Sequence, residues 1–230
     1  MKLSKSMSPT TAEERAEMQS RPYRSLIGCL MYFTTCTRPD IAYVVTKLSR
    51  FLENPGLQHW KAAVRVLRYL KSTGEHGIVY QRGSGEATAQ AFMDADWGSN
   101  IYDRRFVSGR TVALSSAEAE YMALNLCTQE VLWTCAMLMD MGHEQVGATR
   151  VWEDNQGAIA LASNAGYHAR TKHVDTRHHF IRENVERGTL KVDYIDTTRQ
   201  LADMLTKALG TKTLAFLREA SNIKAKDNVL

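Results

Sequence analysis

An α/β sheet with helical crossovers, set behind a small helical bundle, is the fold this sequence predicts. Three observations carry it. Strand-like and helix-like runs alternate from residue 90 onward, whereas residues 21 to 72 read as amphipathic helices one after another. Apolar runs also stop abruptly in acid, as in Phe92-Met93-Asp94-Ala95-Asp96-Trp97 and Val151-Trp152-Glu153-Asp154. If those two runs are neighbouring parallel strands, their acids meet at the carboxyl edge of the sheet, where open α/β sheets place their ligands.

Composition sets the outer bounds. A chain of 230 residues, 44% hydrophobic, can bury a substantial core in one or two domains. Its 29 basic and 25 acidic residues leave +4, which permits a nucleic-acid partner without arguing for one. Cys29, Cys36, Cys127 and Cys135 show neither a CxxC spacing nor histidines at finger-like distances, so a reducing compartment without disulfides is expected. The first residues, MKLSKSMSPTTAEERAEM, hold no apolar core of a signal peptide, and no run is long enough to span a bilayer. The expectation is an intracellular protein with no membrane partner.

Taken in order, residues 1–20 are polar and are expected to form a loosely held arm. Leu26, Ile27, Leu30, Met31 and Phe33 suit a buried helix, which Thr37-Arg38-Pro39-Asp40 breaks because the residue before proline avoids the helical region. Ile41, Val44, Val45, Leu48, Phe51 and Leu52 mark a second helix, stopped by Asn54-Pro55-Gly56. In a third, Trp60, Ala63, Val64, Leu67 and Leu70 make one stripe, with Lys61, Arg65, Arg68 and Lys71 off it. Those cations suit either a solvated face or a surface that tracks a nucleic-acid backbone, for which Arg65, Arg68 and Lys71 are the candidates.

A short strand at Ile78-Val79-Tyr80 lies between turn-rich segments, and a domain boundary is expected near residue 84. Then follow a strand over 90–95, a polar connection through Asp103-Arg104-Arg105 and a helix over about 115–140. A strand over 150–154, helices over 155–163 and 174–187, a strand from Leu190 to Ile195 and a helix over about 199–208 complete this second domain. It is expected to run to 215, with 216–230 as a tail.

The acids can be sorted by position. Ser115 followed by Glu118 fits a capping box, which makes Glu118 structural. Glu120 lies beside a stripe of Ala119, Met122, Ala123, Leu126, Trp133 and Met137 and is free to lean toward the sheet edge. Asp94 and Asp96 share a strand face, with Asp94 nearer the sheet interior. Trp152 and Asp154 share one face and Glu153 takes the other; Asp154 could instead cap the helix that follows. Asp203, where the last helix starts, could simply balance its dipole. Carboxylates crowded together repel unless cations lie between them, so the set Asp94, Glu120, Asp154 and Asp203 predicts hard divalent metal.

Several segments together resemble a known family. Asp94-Ala95-Asp96-Trp97, Ser115-Ser116-Ala117-Glu118-Ala119-Glu120-Tyr121, Asp154-Asn155-Gln156-Gly157-Ala158-Ile159, residues 172–183 and Ala202-Asp203-Met204-Leu205-Thr206-Lys207 look like the ribonuclease H domain of copia-type retrotransposon polyproteins. Gly28-Cys29-Leu30-Met31-Tyr32, Thr37-Arg38-Pro39-Asp40-Ile41, Leu48-Ser49-Arg50-Phe51 and Leu67-Arg68-Tyr69-Leu70-Lys71 look like the end of their reverse transcriptase. The resemblance implies a ribonuclease H-like mixed sheet flanked by helices and hydrolysis of the RNA strand of an RNA:DNA hybrid with two Mg²⁺, or Mn²⁺ in their place. It implies Asp94 bridging both ions, Glu120 and Asp154 each completing a shell, and Asp203 as a peripheral fourth ligand. It further implies the polymerase domain of the same polyprotein as a partner, and the cytoplasm, a virus-like particle or the nucleus as location. No polymerase motif is present, and residues 188–203 contain no histidine to serve as general base. Arg170, Lys172 and Arg177 suit a phosphate-facing patch, while His173, His178 and His179 lack helical metal-binding spacing.

One departure stands out. The family places two antiparallel strands between the first strand and the capped helix, but here Ser108-Gly109-Arg110 runs straight into Thr111-Val112-Ala113-Leu114, as if joined across a deletion of about twenty residues. Losing a hairpin leaves the chain at the same end of the sheet, so Asp94 and Glu120 could still meet. The expected cost is an open strand edge and weak or no cleavage.

Overall fold

The structure, a computed structural model, describes residues 3–80, 88–95, 115–163 and 175–225. Two compact units divide the chain: residues 1–80 with 204–230, and residues 81–203. Among the described residues no helix is long and apolar enough to cross a membrane, and all four cysteines are free thiols.

The first unit is helical. Its opening residues, expected as a loose arm, contain helix α1 (Ala12–Gln19). The Thr11 hydroxyl accepts the Glu14 N–H at 3.2 Å and Glu14 accepts the Thr11 N–H at 3.3 Å, a reciprocal cap, while Met18 is buried. Helices α2 (Tyr23–Cys36), α3 (Ala42–Ser49) and α4 (Leu57–Ser72) follow, with a 3₁₀ turn at Pro39–Ile41 leading into α3. Ile27, Leu30, Ile41, Val45, Leu48, Ala63 and Val66 make their shared core. The α2 line Tyr23, Ile27, Leu30 is buried, so Met31 and Phe33, off that line, face outward, contrary to the expected stripe. In α4 the buried line is His59, Ala63, Val66, which leaves Leu67 exposed. Burial pushes the His59 imidazole below its usual range; its Nδ1 accepts the Gly56 N–H at 2.9 Å and its ring stacks on Phe51. A side chain at Gly56 would collide with the Met7 carbonyl, so the stop before α4 needs glycine itself.

Strand β1 (His76–Ile78) lies two residues before the expected segment, and Tyr80 is exposed. The second unit is a parallel sheet with helices on one face. Strands β2 (Gln90–Phe92), β3 (Thr149–Glu153) and β4 (Leu190–Tyr194) lie in the order β2-β3-β4, with Gln90 opposite Arg150 and Thr149 opposite Leu190. The crossovers carry α5 (Ser116–Asp140), α6 (Gln156–Ser163) and α7 (Asp175–Glu186). The mixed sheet implied by the resemblance is thus wholly parallel among the described residues, and nothing described pairs with the outer edge of β2. The join at 108–111 lies outside them.

Along β3, Thr149, Val151 and Glu153 are buried beneath the helices, while Arg150 is exposed on the far face and stacks on Trp152. In α5 the buried residues are Ala119 to Asn125 with Thr128 and Val131. Leu126, Trp133 and Met137, expected to be core, are exposed on the opposite side. The helix is apolar on both sides, so periodicity alone could not choose the face that meets the sheet.

A short helix α8 (Asp203–Thr206) follows β4. In the first unit, α9 (Thr211–Ala220) and β5 (Ile223–Ala225) close the described chain, and β5 pairs antiparallel with β1. The expected tail from 216 is therefore a helix end and a strand of the first unit, because β1 needs a partner and finds it far along the sequence. Beneath them lies a polar network. Arg38 donates to both carboxylate oxygens of Asp40 at 2.9 and 2.8 Å, and to the Thr73 carbonyl and hydroxyl at 2.9 and 2.7 Å. The Tyr69 hydroxyl donates to Asp40 at 2.7 Å and accepts from Arg218 at 3.2 Å. Arg38, Asp40 and Tyr69, taken from two of the motifs that carry the resemblance, thus have a structural role here.

Candidate metal centre

Four residues of the second unit bring acids to one edge of the sheet. Asp94 follows β2, Asp154 follows β3, Glu120 is in the second turn of α5 and Asp203 begins α8. Oxygens of Asp94, Asp154 and Asp203 all lie within 4.8 Å of one another, and so do oxygens of Glu120, Glu153 and Asp154. The set read from the sequence thus falls into two groups that share Asp154. Glu153, which the sequence reading assigned to the opposite face and set aside, belongs to the second.

Local interactions hold the acids in place. The Ser115 hydroxyl accepts the Glu118 N–H at 3.2 Å, so α5 starts there and carries Glu120 to the end of β2. There the Ala95 N–H donates to Glu120 Oε2 at 2.7 Å. Asp154 is not spent on capping α6, since Asn155 Oδ1 takes the Ala158 N–H at 3.1 Å. Instead Asp154 accepts the Thr197 hydroxyl at 2.8 Å, from the 3₁₀ turn at Thr197–Arg199 after β4. Gln200, fully buried, donates its side-chain amide to the Trp152 carbonyl at 3.3 Å and fixes the approach to Asp203. Asp203 is itself buried, unlike an acid that merely balances a helix dipole in water.

Burial and mutual repulsion dominate the electrostatics. Burial first, then the Glu153 and Asp94 charges, push the Glu120 carboxyl up to about 9. Burial, then Asp154 and Asp94, push Glu153 up to about 8. Among the described residues no lysine or arginine forms an ion pair with Glu120, Glu153 or Asp154, and Glu153 Oε2 is buried without a hydrogen bond. Glu120, Glu153 and Asp154, crowded together without a cationic side chain among the described residues, fit a hard divalent cation, which would relieve both the desolvation and the repulsion.

This has a consequence for stability in chelator. A carboxyl raised above its unfolded value stabilises fully below that value, near 4.5, and the benefit is lost as pH rises through the folded values of about 8 and 9. Each such group costs about 1.4 kcal/mol per pH unit across that window. Thermal unfolding in EDTA is therefore expected to fall by several degrees from pH 7 to pH 8 and to flatten in a Glu120→Gln, Glu153→Gln double variant. A midpoint that stays level or rises in the unsubstituted protein contradicts the burial of these acids.

The other candidates stand apart. Asp96, Arg170 and Lys172 lie outside the described residues, as does the Arg177 side chain. In the first unit, Lys61, Arg65, Arg68, Tyr69 and Ser72 line an open groove along α4, with Lys71 exposed but not part of it.

No family model matches the chain, and no solved structure does. It is 41% identical over 236 residues to the retrovirus-related Pol polyprotein from transposon TNT 1-94 of Nicotiana tabacum, covering 95% of this chain and 18% of that protein. To the retrovirus-related Pol polyprotein from transposon RE2 of Arabidopsis thaliana it is 37% identical over 205 residues, covering 82% of this chain and 14% of that one. It is also 43% identical over 133 residues to the secreted RxLR effector protein 161 of Plasmopara viticola, covering 50% of this chain and 93% of that protein. The chain spans less than a fifth of the length of these Pol polyproteins.

Proposed function

This chain belongs to the Pol polyproteins of copia-type retrotransposons, and we propose that its second unit is their ribonuclease H-type nuclease region, acting on the RNA strand of RNA:DNA hybrids. One observation carries the reading: acids from four separate elements converge at the carboxyl edge of a parallel sheet in two groups joined by Asp154. Asp94, Asp154 and Asp203 would hold one Mg²⁺ or Mn²⁺, and Glu120 with Asp154 the other. Such a pair, when bound, supplies an activated water and charge neutralisation at the leaving oxygen of a phosphodiester. The chain's own part is positioning. The Ala95 N–H orients Glu120 and the Thr197 hydroxyl orients Asp154, so neither carboxylate has to be ordered when substrate arrives. The polymerase domain of the same polyprotein is the proposed partner.

A second reading, a non-catalytic nucleic-acid-binding fragment, is favoured by the Lys61, Arg65 and Arg68 groove on α4. The two separate on one assay, in which the protein and its Asp94→Asn variant meet labelled RNA:DNA hybrid with Mg²⁺. Cleavage that disappears in the variant supports the nuclease. Binding that survives Asp94→Asn, with cleavage in neither protein, supports the binding fragment.

A further inference from the structure

We propose that Glu153 is a ligand to a divalent cation held with Glu120 and Asp154, a fifth acid of the centre that neither the sequence pattern nor the family resemblance supplies. The inference rests on the nuclease reading and names a residue within it.

Glu153 is fully buried at the end of β3, on the helix-covered face with Val151. Its two oxygens are used unequally. Oε1 accepts the Asn155 N–H at 2.7 Å, whereas Oε2 is buried and accepts or donates no hydrogen bond. A glutamate that only filled space would have a hydrogen-bond partner for each oxygen, since an unmatched buried polar atom is costly. One that formed a structural ion pair would have a cationic side chain beside it. Neither arrangement is found among the described residues around it. What it has instead is two other acids, Glu120 and Asp154, with all three donor oxygens within 4.8 Å of one another. Oxygens that ligate one hard cation at about 2.1–2.6 Å are at most about 4–5 Å apart, so the triangle is of the size one ion spans. The Ala95 N–H on Glu120 and the Thr197 hydroxyl on Asp154 fix two corners from other elements; the strand itself fixes the third.

The test is a titration of the full chain with Mn²⁺ alone, counting free ion by electron paramagnetic resonance. The unsubstituted protein is expected to take two ions. Glu153→Gln is expected to keep one and to bind the other at least tenfold more weakly, while melting no lower than the parent in EDTA, a result a purely structural role would not give. Two ions bound by Glu153→Gln with parental affinity overturn the assignment. If that variant does not fold, Glu153→Asp is read in its place, because it withdraws the carboxylate by one methylene; parental binding there overturns the assignment equally. A parent that binds no Mn²⁺ sensitive to Asp154→Asn fails the paired-cation reading and this one together, whereas a two-ion parent with an indifferent Glu153→Gln fails this one alone.

Discussion

Replacing Asp154 by asparagine is expected to disturb both cation positions at once, weakening Mn²⁺ binding at each at least tenfold and reducing cleavage of an RNA:DNA hybrid by at least about a hundredfold. The reason is its place in the structure. Asp154 is the one acid common to both groups, so the loss cannot be confined to one ion. Asp203→Asn, by contrast, touches only the group with Asp94, and Glu120→Gln only the group with Glu153. A titration of all three variants should therefore show one double loss and two single ones. Thr197 gives a milder version of the same effect: Thr197→Val keeps the shape and removes the hydroxyl that orients Asp154, so binding should fall by less than in Asp154→Asn.

The second large effect lies in the first unit and concerns stability. Arg38→Ala is expected to destabilise it by about 3–5 kcal/mol, because Asp40 would be left as a buried charge without its partner. Arg38 and Asp40 are 4% and 5% exposed, too little for water to replace the lost bonds. Burial alone would raise Asp40, yet the Arg38 and Tyr69 hydrogen bonds outweigh it and hold the carboxyl below the usual range. The stability stored there is present above the unfolded value and is lost only as pH falls through the lower folded one. Thermal unfolding at pH 7 should thus show a drop on the order of 10 °C or more for Arg38→Ala. Tyr69→Phe, which removes one donor to Asp40 and the acceptor of Arg218, should cost about 1–2 kcal/mol. An Arg38→Ala protein that melts with the parent would show that the network is not what joins α4 to the segment before α3.

How much of this was legible in the letters depends on whether the cause is local. Pro39 bounds α2 through a backbone restriction that acts within a residue or two, and that stop falls where expected, whereas α3 ends at Ser49, before Phe51, Leu52 and the Asn54-Pro55-Gly56 stop expected for it. The capping of α1 was equally local, since Thr11 and Glu14 have the spacing of a reciprocal cap, but its polar surface hid it. Non-local pairing was out of reach. Nothing near His76 announces that it pairs with Ala225, nor does Tyr69 announce Arg218. The buried side of α5 was missed because that helix is apolar all round, and only the sheet and its neighbours decide which side is covered.

The acids show the same division. Apolar runs that stop in carboxylate marked Asp94 and Asp154, and a cap three residues before Glu118 fixed the phase of Glu120. Glu153 was passed over although alternation gave its face correctly. The missing fact was that this face, shared with Val151, is the one the helices cover and therefore the one that meets Glu120.

The most direct measurement is a crystal of this chain grown with Mn²⁺ and examined by anomalous diffraction at the manganese edge. Two peaks beside Asp154 are predicted, one reached by Asp94 and Asp203 and the other by Glu120 and Glu153. An anomalous map without signal at that sheet edge, or with its peaks on unrelated side chains, would contradict the account.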